Sequence, residues 1–483
     1  MKEENQLMKN IFHTLEANFP VENWKVNGIG IWPYLRIKIY IHLLSISINS
    51  GGRQEKKNDL KKTTVIAKNR HSIITDFLVA FKGFFNFLRE LKTKKIVFFG
   101  SHSQRVLHEG CWFNRFFDSM VNTYKIDKEV YMVEYLQELD NTYNPNSIIC
   151  LDKNLNFYKT VFFWRKRIKR KSDIYLKNYD LFLNYIQQEL NISPTELRIQ
   201  ESNIIDWTNK IIFLSGFYRI FFKRVKPSKI VFAGYYGWDN LYAAIYQANK
   251  MKIMTVDSQT NHMVFSDWTK IPERGYDLMP KKYWNWDEIS KNNIDTWASK
   301  TNDVLAYVVG QSYLGYCKSK YQNSSDEKII FFSLQTFELE EMIPNGIISF
   351  IKNTNYKWIF RLHPRNTFTP QELSVFIKNR VVEDLNYEIQ DSRSVPISEV
   401  LCSCFLHITG FSGCLLESKM MGVSTILIHP LGEEMFEDYI DEKTVFFVNG
   451  KDDFFYEKII EIISNLEYKI SISQNFYIHN PLD

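Results

Sequence analysis

The sequence predicts an α/β protein built of two doubly wound, Rossmann-like domains facing a cleft. Three observations carry this. The 483 residues are long for one domain and comfortable for two, at about 150 residues each. Hydrophobic residues make up 45% of the chain and aromatics 16%, ample for two buried cores. Short β-branched and aromatic runs alternate with helical stretches in both halves, the pattern of buried parallel strands joined by crossover helices.

Residues 1–63 form an opening segment and linker. Residues 24–48 are apolar and aromatic, but Lys25, Arg36, Lys38 and His42 interrupt them too often for a membrane span. They read as an amphipathic helix with two open placements. It lies on a membrane surface, or it packs on the body of the protein with Pro33 in its first turn. Residues 51–63 are glycine-led and charged, as a solvated linker is. The N-terminal domain follows over 64–285. A helix over 72–92 leads into strands at 95–99, 129–133, 229–233 and 253–256, with a helix over 239–250. Residues 286–326 read as a helical connection ending in a turn at 323–326. The C-terminal domain, 327–483, has strands at 328–332, 358–362, 405–409, 424–428 and 444–448, and a helix over 412–421. The basic run 165–171 suits a solvated helix face or an anionic membrane surface.

Composition excludes several classes. The net charge of +5 is small, and aromatics do not interleave with a basic stripe, so nucleic acid is not an expected partner. The six cysteines show neither CxxC nor zinc-site spacing and read as reduced thiols. The polar start and the lack of a run of about 18 apolar residues predict a cytoplasmic protein, peripheral on the cytoplasmic membrane face if it meets a membrane. Neither a P-loop motif nor a G-x-S-x-G elbow occurs.

Two turns carry the chemistry. At Arg361-Leu362-His363-Pro364-Arg365 a buried strand ends in a polar turn. Ligands of open α/β sheets sit beyond the carboxyl ends of strands, and arginine forks match phosphate oxygens. Pro364 fixes the turn and would orient His363. Some forty residues on, a strand ends in Thr409-Gly410-Phe411-Ser412-Gly413 and a helix begins. Its glycines let backbone approach a ligand, and a helix N-terminus holds phosphate through free N–H groups. Glu417, about one turn into that helix, suits ribose hydroxyls.

These two turns together resemble those of bacterial surface-polysaccharide glycosyltransferases of the GT-B fold, the capsule and sialyltransferase-like groups with an HP motif and a serine motif. The resemblance is good over about 230–450. It includes Val256–His262, similar to a "QHG"-like turn that closes onto the cleft, with Thr260-Asn261-His262 where His-Gly is common. It also includes Tyr283–Trp286 and, loosely, the opening Gly30–Arg36. It implies that Arg361, His363, Pro364 and Arg365, with Thr409, Gly410, Ser412 and Gly413, grip the donor nucleotide, that Glu417 takes the ribose, and that Gln259 and His262 line the cleft. The implied function is transfer of a sugar from a nucleotide-sugar co-substrate, linked to CMP, UDP or GDP, to a growing surface polysaccharide or lipid-linked glycan. No other cofactor is implied. No Asp-x-Asp occurs, so metal-independent transfer is expected.

An acceptor hydroxyl needs a base from the N-terminal domain. The loop after the first strand, 100–110, offers His102 and Glu109, and Asp239 is a third candidate. Tyr235, Tyr236 and Trp238 could stack on a sugar ring. Alternatives of other classes are a CDP-alcohol polyol-phosphate phosphotransferase of similar fold, a sugar-nucleotide epimerase, and a non-catalytic polysaccharide assembly protein.

Overall fold

The structure is a computed structural model that describes residues 2–49, 70–100, 104–135, 140–165, 172–236, 238–260, 267–320, 328–363, 368–381, 385–390, 395–441 and 443–466. A helix, Lys2–Asn18, precedes two short strands, β1 (Lys25–Val26) and β2 (Ile29–Gly30). Next come β3 (Ile96–Phe99), β4 (Arg105–His108), β5 (Cys111–Asn114), β6 (Val130–Glu134), β7 (Ile148–Cys150), β8 (Ile174–Tyr175), β9 (Lys229–Phe232), β10 (Met254–Ser258), β11 (Lys282–Asn285) and β12 (Leu305–Val308). The second half adds β13 (Ile329–Ser333), β14 (Lys357–Arg361), β15 (Tyr387–Gln390), β16 (Leu406–Thr409), β17 (Ser424–Leu427) and β18 (Val445–Phe447).

Two parallel sheets result, each flanked by helices, in two Rossmann-like units. The first has the order β12-β11-β10-β9-β3-β6-β7 and the second β15-β14-β13-β16-β17-β18. Central strands such as β3, β9, β13 and β16 are buried at every residue, which is why β3 and β13 are almost wholly apolar, while β16 buries His407 and Thr409 as hydrogen-bonded polar groups. Each sheet reverses its winding once. In the first, the chain leaves β3 toward β6 and returns on the other side at β9. In the second it leaves β13 toward β14 and returns at β16. The crevices at these two reversals are where such sheets take ligands.

Two expectations need correction, and a placement left open is decided. Residues 286–320 are not purely a helical connection, because β12 lies among them as the edge strand of the first sheet, between helices Glu288–Ala298 and Ser312–Lys320. Edge exposure of Leu305 and Tyr307 hides the strand from a search for apolar runs. The loop after β3 is largely the hairpin β4–β5, turning at Glu109 (φ 49°) and Gly110 (φ 78°), so Glu109 is an exposed hairpin tip rather than the end of a sheet strand. Helix Trp32–Asn49 packs into the first core rather than on a membrane surface. Trp24, Trp32, Leu35 and Ile39 are fully buried there. Its one deep charge, Arg36, pairs with buried Glu16 at 3.3 Å, and Glu16 also accepts from Trp32 Nε1 at 2.9 Å. No described helix is long and apolar enough to cross a membrane. Residues 166–171 of the basic run lie outside the described residues.

The two units share a core. Phe116, Phe117, Trp284, Trp286 and Val309 of the first pack with Leu415, Leu416, Phe436 and Tyr439 of the second. Polar ties stitch its edges: Ser290 Oγ lies 2.8 Å from Tyr439 Oη, and His108 Nδ1 lies 3.2 Å from Glu399 Oε1.

Candidate functional site

The second crevice assembles from strand ends. Thr409 closes β16 and donates Oγ1–H to Ser333 O at 2.9 Å, which ties the turn to the end of β13. The same Oγ1 accepts from Ser412 N at 3.3 Å, and Ser412 Oγ accepts from Cys414 N at 3.2 Å. The turn is thus preformed, and helix Cys414–Met421 springs from it after Gly413. Gly410 has no room to spare, since a Cβ there would meet Met342 Cε at 3.3 Å. Arg361 ends β14 beside this turn, 7% exposed, with Nη1 3.5 Å from Gln390 Oε1. His363 follows, half-buried. Pro364 and Arg365 lie outside the described residues.

Glu417 stands in the first turn of helix Cys414–Met421 and is 6% exposed. Burial raises its pKa, while Arg115 and Arg361 pull it back down. Arg115, from the turn between β5 and helix Asp118–Tyr124, brings Nη1 to 4.0 Å from Glu417 Oε1. The second unit therefore supplies the Thr409–Gly413 turn, a guanidinium and a carboxylate to the crevice, and the first unit adds a guanidinium. Two arginines and a helix N-terminus facing one carboxylate suit an anion carrying hydroxyls nearby.

Reading the sequence missed three parts of this crevice. Arg115 carries no motif and reaches Glu417 only through folding. The loop after β13 brings buried Gln335 and half-buried Phe337. Phe337 meets Phe411 edge-on at 5.1 Å and lies 5.8 Å from His429. His429 follows β17. Its Nδ1 accepts from Leu431 N at 3.2 Å, which leaves Nε2 to donate to Glu341 Oε1, also at 3.2 Å. Burial lowers the His429 pKa against the pull of Glu341.

The first unit is placed differently from expectation. Both Asp239 oxygens are engaged inside the unit, accepting from Trp207 Nε1 at 2.8 Å and Lys210 Nζ at 2.5 Å. Gln259 is a buried strut rather than a cleft wall, donating to Ser290 Oγ at 3.0 Å and accepting from Trp286 N at 2.7 Å. His102 and His262 lie outside the described residues. Tyr235 and Tyr236 line a small cavity of about 20 Å³ with Arg36, Tyr40, Tyr242 and Trp268, whereas Trp238 is largely exposed. Beneath those tyrosines sits Asp257, 2% exposed, accepting from Gly234 N at 3.2 Å; burial raises its pKa strongly.

No protein-family model matches this chain, and no curated protein does. Solved structures do resemble it. The UDP-GlcNAc 2-epimerase of Neisseria meningitidis bound to UDP-GlcNAc is 15% identical over 81% of this chain and 96% of its own, with a TM-score of 0.45. The UDP-GlcNAc 2-epimerase of Methanocaldococcus jannaschii, in complex with UDP-GlcNAc and UDP, is 15% identical over 81% and 97%, with a TM-score of 0.42. The glycosyltransferase VinC, in complex with dTDP, is 10% identical over 77% and 91%, with a TM-score of 0.38. At these scores the fold assignment rests on the strand order described above rather than on the likeness.

Proposed function

We propose that the protein is a nucleotide-sugar-dependent glycosyltransferase that extends a surface polysaccharide or a lipid-linked glycan on the cytoplasmic side of a membrane. The observation that carries this reading is the crevice between β13 and β16. There a preformed Thr409–Gly413 turn, a helix N-terminus, Arg361 and Glu417 converge at the point of strand reversal. On this reading Arg361, His363 and the turn take the phosphates, and Glu417 takes the ribose.

Displacement at an anomeric carbon needs the leaving phosphate's charge stabilised and the acceptor hydroxyl deprotonated. The arginines and the helix N-terminus serve the first need. For the second, the candidate base Glu109 stands on the exposed β4–β5 tip and would have to reach the crevice, and the Tyr235 and Tyr236 rings could stack on an acceptor sugar. Asp239 would have to surrender Lys210 and Trp207 to act as base.

The test is a thermal-shift screen against CMP, CDP, UDP, GDP and dTDP, followed by turnover of the matching nucleotide sugars with a glycan acceptor. A ligand held by the native state raises the melting temperature by mass action. One nucleotide is expected to do so, and its sugar conjugate to be consumed only with acceptor present. Consumption of CDP-glycerol and of no nucleotide sugar would replace this reading with polyol-phosphate transfer. Interconversion of a nucleotide sugar without acceptor would replace it with epimerisation. No shift with any nucleotide would sink it.

A further inference from the structure

The first unit carries an apolar surface that its own core does not take up. Helix Arg70–Glu90 enters that core through Phe84 and Leu88. Just before them, every position from 78 to 83 is exposed, and all but Lys82 are apolar. Leu78, Val79 and Phe81 stand there at 58%, 67% and 45% exposure, and Phe85 follows at 53%. A helix that is apolar all round belongs in apolar surroundings, and an exposed apolar patch marks a contact surface. Helix Asp152–Arg165 lies alongside. Its Phe157 ring is 6.2 Å from that of Phe81 and 5.4 Å from that of Phe84, and one turn further on Val161 is 40% exposed. The two helices thus share one apolar edge.

The charge beside this edge has one sign. Lys82 is exposed within it. Helix Asp152–Arg165 ends where the sequence reads Arg165-Lys166-Arg167-Ile168-Lys169-Arg170-Lys171, six cations in seven residues without an acid. The whole chain carries only +5, so positive charge is concentrated here and balanced elsewhere. Arg165 follows Val161 by four residues, so the cations begin roughly 6 Å from the apolar edge. Anionic lipid matches both parts. Leu, Val and Phe side chains enter the boundary of the acyl chains, and Lys and Arg meet the headgroup phosphates. A second copy of this chain matches less well. A symmetric pair sets one patch against its own likeness, which would press two six-cation runs together. An uncharged protein partner would leave the cations without a counterpart.

We infer that helices Arg70–Glu90 and Asp152–Arg165 form a membrane-docking edge whose partner is an anionic phospholipid surface. The helix at 32–49 does not serve, because the first core takes its apolar side. A handful of apolar side chains gives weak, reversible partition by itself, so the docking needs the basic run as a second attachment. The inference does not rest on the nucleotide reading, since no residue of this edge belongs to the crevice. It adds to that reading a means of meeting a lipid-linked acceptor at the surface that carries it.

The experiment is co-sedimentation of the full chain with vesicles of phosphatidylcholine alone and of phosphatidylcholine mixed with phosphatidylglycerol, at low and at high salt. Three proteins are compared: wild type, Leu78→Glu with Val79→Glu, and a charge variant with Lys166→Gln, Arg167→Gln, Lys169→Gln and Arg170→Gln. Melting temperature and vesicle-free sedimentation are recorded for each. Wild type is expected to partition onto the anionic vesicles at least about tenfold more strongly than onto the neutral ones, and to be released by high salt. Each variant is expected to lose about tenfold or more on the anionic vesicles, with an unchanged melting temperature. Leu78→Ser with Val79→Ser serves if the glutamates disturb folding. Wild type that pellets with neither vesicle, or equally with both, overturns the inference. So does either variant that partitions as wild type does. A vesicle-free dimer that L78E with V79E dissolves gives the edge to a second copy and overturns it too. No nucleotide is present in these measurements, so failure of the docking edge leaves the donor site standing, and a chain that binds no nucleotide leaves the docking edge standing.

Discussion

Gly432 shows how little slack the Thr409–Gly413 turn has. A Cβ at this position would stand 2.1 Å from Gly410 O and 3.0 Å from Leu427 Cδ2. Neither backbone can yield without moving the Thr409–Gly413 turn. Gly432→Ala is therefore expected to cost about 1–3 kcal/mol, read as a lower urea midpoint, and to weaken nucleotide binding as well. His407, in the middle of β16, makes a different prediction. Its Nε2 lies 2.8 Å from Ser333 Oγ and its Nδ1 2.9 Å from Ser418 Oγ, and its ring stacks on Phe331 at 5.1 Å. Complete burial pushes its pKa down to about 3. The folded state therefore refuses a proton that the unfolded chain accepts near pH 6.5. Its contribution is intact above that pH and is lost as pH falls from about 6.5 toward 3, at up to ~1.4 kcal/mol per pH unit. Chemical denaturation across this range should show the slope in wild type and a shallower one in His407→Gln. Equal slopes would mean that other groups account for the acid sensitivity.

Among the elements, helices Lys2–Asn18 and Trp32–Asn49 are joined through one carboxylate. Glu16 accepts from Thr269 N at 2.7 Å and Thr269 Oγ1 at 2.5 Å, in addition to Trp32 and its ion pair with Arg36. Removing it strands the Arg36 charge in the core, where burial already lowers that guanidinium's pKa. Glu16→Ala should cost about 3–5 kcal/mol in equilibrium unfolding, and Glu16→Ala with Arg36→Met should recover part of it. A loss below about 1 kcal/mol would show that the pair is dispensable. The sequence made this helix legible as amphipathic but not where its apolar side goes, because burial in a core and burial in a membrane draw on the same residues. The same physics explains the rest of the reading. Central strands were visible because parallel strands covered on both faces are uniformly apolar, as in Ile329–Ser333. Edge strands such as Leu305–Val308 were not, because half their side chains face water. The hairpin at 105–114 reads as a polar loop, because Glu109, which takes a left-handed φ of 49° before Gly110, is not one of the residues that mark such a turn. In the candidate site, the Thr409–Gly413 turn could be read locally, whereas the approach of Arg115 could not. It lies about three hundred residues from Glu417, and only the docking of the two units sets them side by side.

At the scale of the whole molecule, the shared core between the units decides how the protein comes apart. Calorimetry should record one cooperative transition rather than two. Leu416→Ala should lower the stability by about 2–5 kcal/mol, and Leu416→Asp should split the transition in two. A Leu416→Asp protein that still melts once would mean that the units are held by other contacts. Leu415 and Leu416 lie just past the turn proposed to hold phosphate, and they are also the bolts of this seam. Parting the units would wet both, at about 1.5–3 kcal/mol each, before any other seam residue is counted. Fully parted molecules would then make up less than about one in a hundred. If the crevice takes the proposed nucleotide without parting the units, a covalent strap across the seam is expected to leave its binding undisturbed.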